Sequence, residues 1–213
     1  MGRGDRARRR VARKVMRGDN TPEPDGLGDR RGTGGRDGLD VYLVRHAVAR
    51  RRDPAAWLDD RLRPLTRGGE EAFRSAARAL GGLESGVGAV FSSPLTRAWQ
   101  TAGILESEGP WPAPRELPEL APETPAADIF AALRAAIARD ELSRAGAVAL
   151  VGHRPSLHEL ASYMVSGDPR GVEVKIKKGG VVVVRFERSG ETLRPGAGVL
   201  RWLVSPESPH LGV

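Results

Sequence analysis

Val41-Tyr42-Leu43-Val44-Arg45-His46 is the stretch on which the reading of this chain turns. Four apolar residues, two of them β-branched, read as a buried strand, and the two polar residues that follow are delivered at its carboxyl end. A second apolar run, Ala147 to Val151, leads through Gly152 to His153 in the same way. Between them Val87 to Phe91 forms a third run, and Ser92-Ser93-Pro94-Leu95-Thr96-Arg97 follows it. Two histidines and two arginines at the ends of strand-like runs point to one pocket.

Around these runs the pattern alternates between short apolar stretches and amphipathic ones, as expected of βα units. Arg67 to Leu80 predicts a helix with Ala72, Phe73, Ala76, Ala77 and Leu80 inward. Thr66 is its expected N-cap, Glu70 and Glu71 offset the dipole, and Gly81-Gly82 is expected to end it. Further helices are expected over Leu95 to Glu106, Asp128 to Arg139 (with Ile129, Phe130, Leu133 and Ile137 inward) and Pro155 to Val165. Val172 to Ile176, Val181 to Phe186 and Leu200 to Val204 read as strands. The first two are expected to form a hairpin through Lys177-Lys178-Gly179-Gly180. The fold class that results is α/β: one three-layer domain over 39–213, with helices on both faces of a mixed, mainly parallel sheet whose antiparallel strands lie toward one edge.

Composition narrows the chemistry. With no cysteine in 213 residues, disulfides and thiolate chemistry are excluded. No apolar run approaches the roughly 20 residues needed to cross a bilayer, so a soluble, cytoplasmic protein without a membrane partner is expected. The net charge of +7 is uneven: residues 1 to 39 hold eleven Lys/Arg against six Asp/Glu, and the remainder holds 23 against 21. Residues 1–38, rich in Gly, Arg and Asp, read as a disordered basic tail. Its run Arg8-Arg9-Arg10-Val11-Ala12-Arg13-Lys14 could touch RNA or anionic lipid, but a solvated extension, or a start at Met16, is the plainer reading, and a nucleic-acid partner is not expected.

In an open α/β sheet, ligands bind beyond the carboxyl ends of the strands. Arg45, His46, Arg97 and His153 all fall there. Ser92 or Ser93 is expected to cap a helix opened by Pro94, leaving free N–H groups for an anion. Arg97, one turn on, adds a planar fork suited to phosphate oxygens. A neutral imidazole is a competent nucleophile toward phosphorus, and two arginines with a second histidine can stabilise the charge of in-line transfer. His46 is the expected carrier of the phosphoryl group. No metal or other cofactor is expected, since the cations are side chains.

The segments Leu43-Val44-Arg45-His46-Ala47, Arg63-Pro64-Leu65-Thr66, Ser92 to Thr101 and Val151-Gly152-His153-Arg154-Pro155 together resemble the histidine phosphatase superfamily, also called phosphoglycerate mutase-like. Leu117-Pro118-Glu119-Leu120, the Lys177 to Gly180 turn and the ending Leu200 to Pro206 are similar to its compact SixA-type phosphohistidine phosphatases. The resemblance implies His46 as the phosphorylated residue and Arg45, Arg97 and His153 as the phosphate pocket. It also implies Glu119 as proton donor, with Glu116, Glu123 and Asp128 as neighbouring candidates. Val48, Ala49 and the short 105–128 segment depart from the mutases, and Arg154 departs from many relatives. That extra cation either favours acidic substrates or faces solvent.

The expected activity is hydrolysis of protein phosphohistidine. The alternatives are a small-molecule or sugar phosphatase of the same superfamily, and a non-catalytic phosphate- or RNA-binding protein. Arg63 is a weak candidate for substrate contact. His158, Tyr163 and Trp99 read as structural, and Arg50 to Arg52 as a solvated run. Oligomeric state is not readable.

Overall fold

A computed structural model of the protein describes residues 38–83, 86–140, 142, 145–187 and 193–205. Six strands form one sheet: β1 Gly38–Arg45, β2 Val87–Ser92, β3 Pro114–Glu116, β4 Ala147–Gly152, β5 Val181–Glu187 and β6 Val199–Val204. Their order is β3-β2-β4-β1-β5-β6. The first four run parallel, and β5 lies antiparallel to both β1 and β6. The four helices are α1 Arg67–Leu83, α2 Thr96–Glu108, α3 Ala126–Arg139 and α4 Ser156–Ser166. The predicted tail over residues 1–38 falls outside the described residues but for Gly38, where β1 begins.

Alternation along the strands divides the core between two faces. Val41, Leu43, Phe91, Val148 and Leu150 pack with Ile129, Phe130 and Leu133 of α3 and with Leu157, Leu160 and Met164 of α4. Tyr42, Val44, Val90, Ala149 and Val151 pack with Phe73, Ala77 and Leu80 of α1 and with Ala98, Ala102 and Leu105 of α2. The result is the three-layer, mixed α/β fold expected. In α1, Ala76 is half-buried and Ala72 is exposed, so the inward stripe is narrower than its apolar residues suggested.

Three local expectations are corrected. The pair Gly81-Gly82 does not end α1, which continues to Leu83. A Cβ on Gly81 would stand 2.5 Å from the Gly109 carbonyl oxygen, so glycine there serves the close approach of α1 to the end of α2. Val172 to Ile176 is not a strand, although Val174 and Ile176 are buried in alternation. Its backbone bonds to side chains instead of a ladder: the Val172 N–H donates to Ser162 Oγ at 3.0 Å, and the Ile176 carbonyl accepts from Arg45 Nη1 at 2.9 Å. The antiparallel edge is therefore built from β5 and β6. Third, neither Ser92 nor Ser93 caps a helix opened by Pro94: α2 starts at Thr96 with Leu95 in the cap position.

Candidate active site

Three parallel strands end side by side, and each hands its next residue to one place. After β1 comes His46, whose N–H donates to the Gly152 carbonyl at the end of β4. After β4 comes His153, and after β2 comes Ser93, whose N–H donates to the Val151 carbonyl. The rings of His46 and His153 lie 5.1 Å apart. The backbone beyond β1 is fixed from the other side too, because the Gly179 N–H is shared between the carbonyls of Arg45 and His46 at 3.0 and 3.1 Å.

His46 is buried, at 7% exposure, and its Nδ1 lies 2.7 Å from the Ala47 carbonyl oxygen. A carbonyl only accepts, so Nδ1 carries the proton and Nε2 keeps its lone pair. Burial, and after it the charges of Arg97, Arg45 and Arg63, lower the His46 pKa to about 4, with the Ala47 bond opposing. The neutral ring is thus the resting form at neutral pH. His153 is buried as well, and desolvation followed by the His46, Arg97 and Arg45 charges pushes it to about 2. Its Nε2 pairs with Ser93 Oγ at 2.9 Å, while Nδ1 is buried and without a hydrogen-bond partner.

Arg97 is 4% exposed in the first turn of α2. Its Nη1 donates to the Asp60 carbonyl at 2.8 Å, and its Nη2 lies 3.2 Å from the Asp60 carboxylate. Asp60 also takes Arg63 Nε at 2.7 Å, and these contacts, Arg63 first, hold its carboxyl below the usual range. Arg45 is anchored through Nη1 to the Ile176 carbonyl, and burial followed by the Arg154 charge lowers its pKa. The Nε atoms of both Arg45 and Arg97 are buried with no partner. Together with His153 Nδ1 they leave the site with buried polar atoms that an oxyanion's acceptors would satisfy.

The structure brings the rings of His46 and His153 together within reach of the charges of Arg45 and Arg97. Glu119 sits in a one-turn 3-10 helix, Pro118–Leu120, which the Leu117 N–H ties to the Ser92 carbonyl at 2.9 Å. Glu119 Oε2 is buried and unpartnered, whereas Glu116 is exposed. Arg63 is engaged with Asp60 and with the Arg50 carbonyl. Tyr163 packs edge-on against Phe130, Trp99 is 40% exposed, and Arg50 to Arg52 are exposed. His158 Nε2 lies 3.2 Å from the Ile176 carbonyl, so it braces the peptide that holds Arg45.

Sequence reasoning missed Asp60, Ser93 as a histidine partner, and Thr101. The Thr101 hydroxyl donates to the Arg97 carbonyl at 2.7 Å and accepts the Ala47 N–H at 3.0 Å, tying the arginine's helix to the loop of His46. The signals for Thr101 were its position one turn after Arg97 and its place at the end of the Ser92 to Thr101 segment.

Residues 41–123 match the model of the histidine phosphatase superfamily, branch 1. An uncharacterized protein of Picosynechococcus sp. is 33% identical over 147 residues, which make up 69% of this chain and 85% of that one. The chain belongs to the histidine phosphatase superfamily. Among solved structures it is similar to the protein histidine phosphatase SixA complexed with tungstate, with a TM-score of 0.66, 25% identity and coverage of 79% of this chain and 98% of that one. It also shares its fold with a mycobacterial glucosyl-3-phosphoglycerate phosphatase, with a TM-score of 0.56, 16% identity and coverage of 76% and 97%. As a member of that superfamily, the chain is a phosphatase, a hydrolase of phosphate compounds. The matched superfamily span holds Arg45, His46, Arg97 and Glu119, while His153 lies beyond it.

Proposed function

We propose that this phosphatase acts on phosphohistidine in proteins, through a phosphoryl group carried transiently by His46. The observation that carries the mechanism is the Nδ1 contact of His46 with the Ala47 carbonyl in a buried, cationic setting. It supports a neutral ring with Nε2 as nucleophile. In the first step the Nε2 lone pair forms a bond to phosphorus, and the bond from phosphorus to the substrate's imidazole nitrogen breaks. That imidazole leaves neutral once its other nitrogen carries a proton. In the second step water attacks the phosphorylated His46, orthophosphate departs, and the Nε2 lone pair is restored. Arg45, Arg97 and His153 are proposed to stabilise the oxygens during both transfers.

A phosphate ester expels a poorer leaving group and needs a general acid, a step worth roughly 10²- to 10⁴-fold. Glu119 is the proposed donor, supported by its buried, unpartnered Oε2. The choice of phosphohistidine is supported by the likeness to SixA across nearly all of that chain.

Substitution His46→Ala tests the mechanism. Turnover should fall by roughly 10⁴- to 10⁶-fold, and rapid quenching of the wild type should trap phosphate on His46. Residual turnover within tenfold of wild type would refute the nucleophile. A panel assay tests the substrate: phosphohistidine peptide should be cleaved well ahead of sugar phosphates, and the reverse order would favour a small-molecule phosphatase. Wild type with no turnover on any phosphate compound would favour a binding protein. Activity should also survive exhaustive chelation, and loss that added magnesium restores would overturn the metal-free scheme.

A further inference from the structure

Arg45 belongs to two places at once. Besides the histidine pair, it lines a cleft of about 520 Å³ bounded by the start of α4 and the extended segment 169–177. That volume lies within the range of about 300 to 1,000 Å³ typical of ligand pockets and far exceeds one phosphoryl group. A substrate whose phosphoryl group reached Arg45 and His46 would lay its body in this cleft.

The lining says what that body is made of. Arg154, Arg170, Lys175 and Lys177 face Glu159 and Glu173, and Lys175 is paired with Glu173 at 2.8 Å. Arg154 and Arg170 are exposed, and among the described residues neither guanidinium forms an ion pair with a carboxylate, although Asp168 Oδ1 accepts the Arg170 backbone N–H at 2.8 Å. The cleft therefore keeps a positive balance, with Arg154 close enough to Arg45 for their charges to repel. Pro155, Pro169, Val172 and Val174 alternate with these cations, and the lining includes no Trp, Tyr or Phe on which a nucleobase could stack. Apolar surface interspersed with the guanidinium groups of Arg154 and Arg170 suits an extended peptide that carries carboxylates.

We propose that this cleft binds the stretch of a phosphoprotein that flanks its phosphohistidine, and that Arg154 and Arg170 select acidic residues there. The inference rests on the phosphohistidine reading given above, and the test separates the two. Full-length protein is assayed on two phosphohistidine peptides of equal length, one with Asp and Glu in the flank and one with Asn and Gln, beside a small sugar phosphate. The acidic peptide should show a kcat/KM about tenfold higher, with the difference in KM, and the gap should narrow from about 0.05 M to about 0.5 M salt. It should close in the double variant Arg154→Gln, Arg170→Gln, and Arg170→Glu should favour a peptide with a basic flank. Equal rates on both peptides, or a gap that the double variant leaves intact, overturn the cleft assignment while the phosphohistidine reading stands. Hydrolysis of the sugar phosphate with neither peptide cleaved overturns the reading beneath it.

Discussion

At the scale of single residues, the site works by holding side chains that would otherwise wander. Asp60 fastens Arg97 through both its carbonyl and its carboxylate and takes Arg63 as well. Small misplacement of a group that meets the transition state can lose up to about 10²-fold in rate. Asp60→Ala should therefore lower kcat/KM by about 10- to 100-fold, chiefly through kcat, with an unchanged unfolding midpoint. An effect confined to stability would remove Asp60 from this role. Glu119→Gln should slow hydrolysis of an ester by roughly 10²-fold or more and that of phosphohistidine by far less; equal losses would contradict the donor assignment. The pH profile follows from His46, which is depressed from 6.5 to about 4 and so remains neutral at any pH above that value. The acid limb of kcat/KM that belongs to His46, the proposed nucleophile, should have its midpoint near 4, and a midpoint near 6.5 would contradict the buried neutral ring.

At the scale of elements, what the sequence made legible was whatever a short period could encode. Strand runs that end in Arg45-His46 and in Gly152-His153 announced themselves, as did the inward stripes of α1 and α3. Segment 172–176 carries the same alternation, yet its backbone is claimed by the side chains of Ser162, ten residues earlier, and of Arg45, 131 residues earlier. Asp60 escaped notice for a similar reason, since its bond to Arg97 joins positions 37 residues apart. Ser92 or Ser93 is the cap expected from sequence, but the Ser93 hydroxyl serves His153 and accepts the Leu95 N–H. Glycines make the same point testably. Gly103, in the middle of α2, has nothing within 4 Å of an added Cβ, whereas Gly81 meets the Gly109 backbone at 2.5 Å. Gly103→Ala should stabilise by about 0.5 to 1 kcal/mol, and Gly81→Ala should destabilise by about 1 to 3 kcal/mol, both read from denaturant unfolding. Equal responses would mean that the helix approach tolerates a side chain.

At the scale of the whole molecule, a buried pair of neutral histidines couples acidity to folding. His46 and His153 have folded-state values of about 4 and about 2, with burial the main cause, against an ordinary 6.5. As pH falls from about 7 toward 4, the unfolded chain takes up protons that the folded chain refuses, so stability declines across that window. His158, lowered mainly by burial, adds in the same direction. The Tm should drop between pH 7 and pH 4.5, and the drop should be shallower in the double variant His46→Gln, His153→Gln. Parallel slopes would show that the two rings do not drive the effect. None of the described helices is long and apolar enough to cross a membrane.

The position of β1 in the sheet order also bears on how the protein is made. Its neighbours are β4 and β5, so Asp40 waits for Ala147 and Arg185. A ribosome adding about 5 to 20 residues per second takes roughly 5 to 20 s to supply that first partner. Through that interval the strand bearing His46 is a nascent apolar ribbon with both edges open. The strand that leads into His46 is thus made before either strand that pairs with it, which makes Val41 to Val44 a segment that gains from a chaperone's cover.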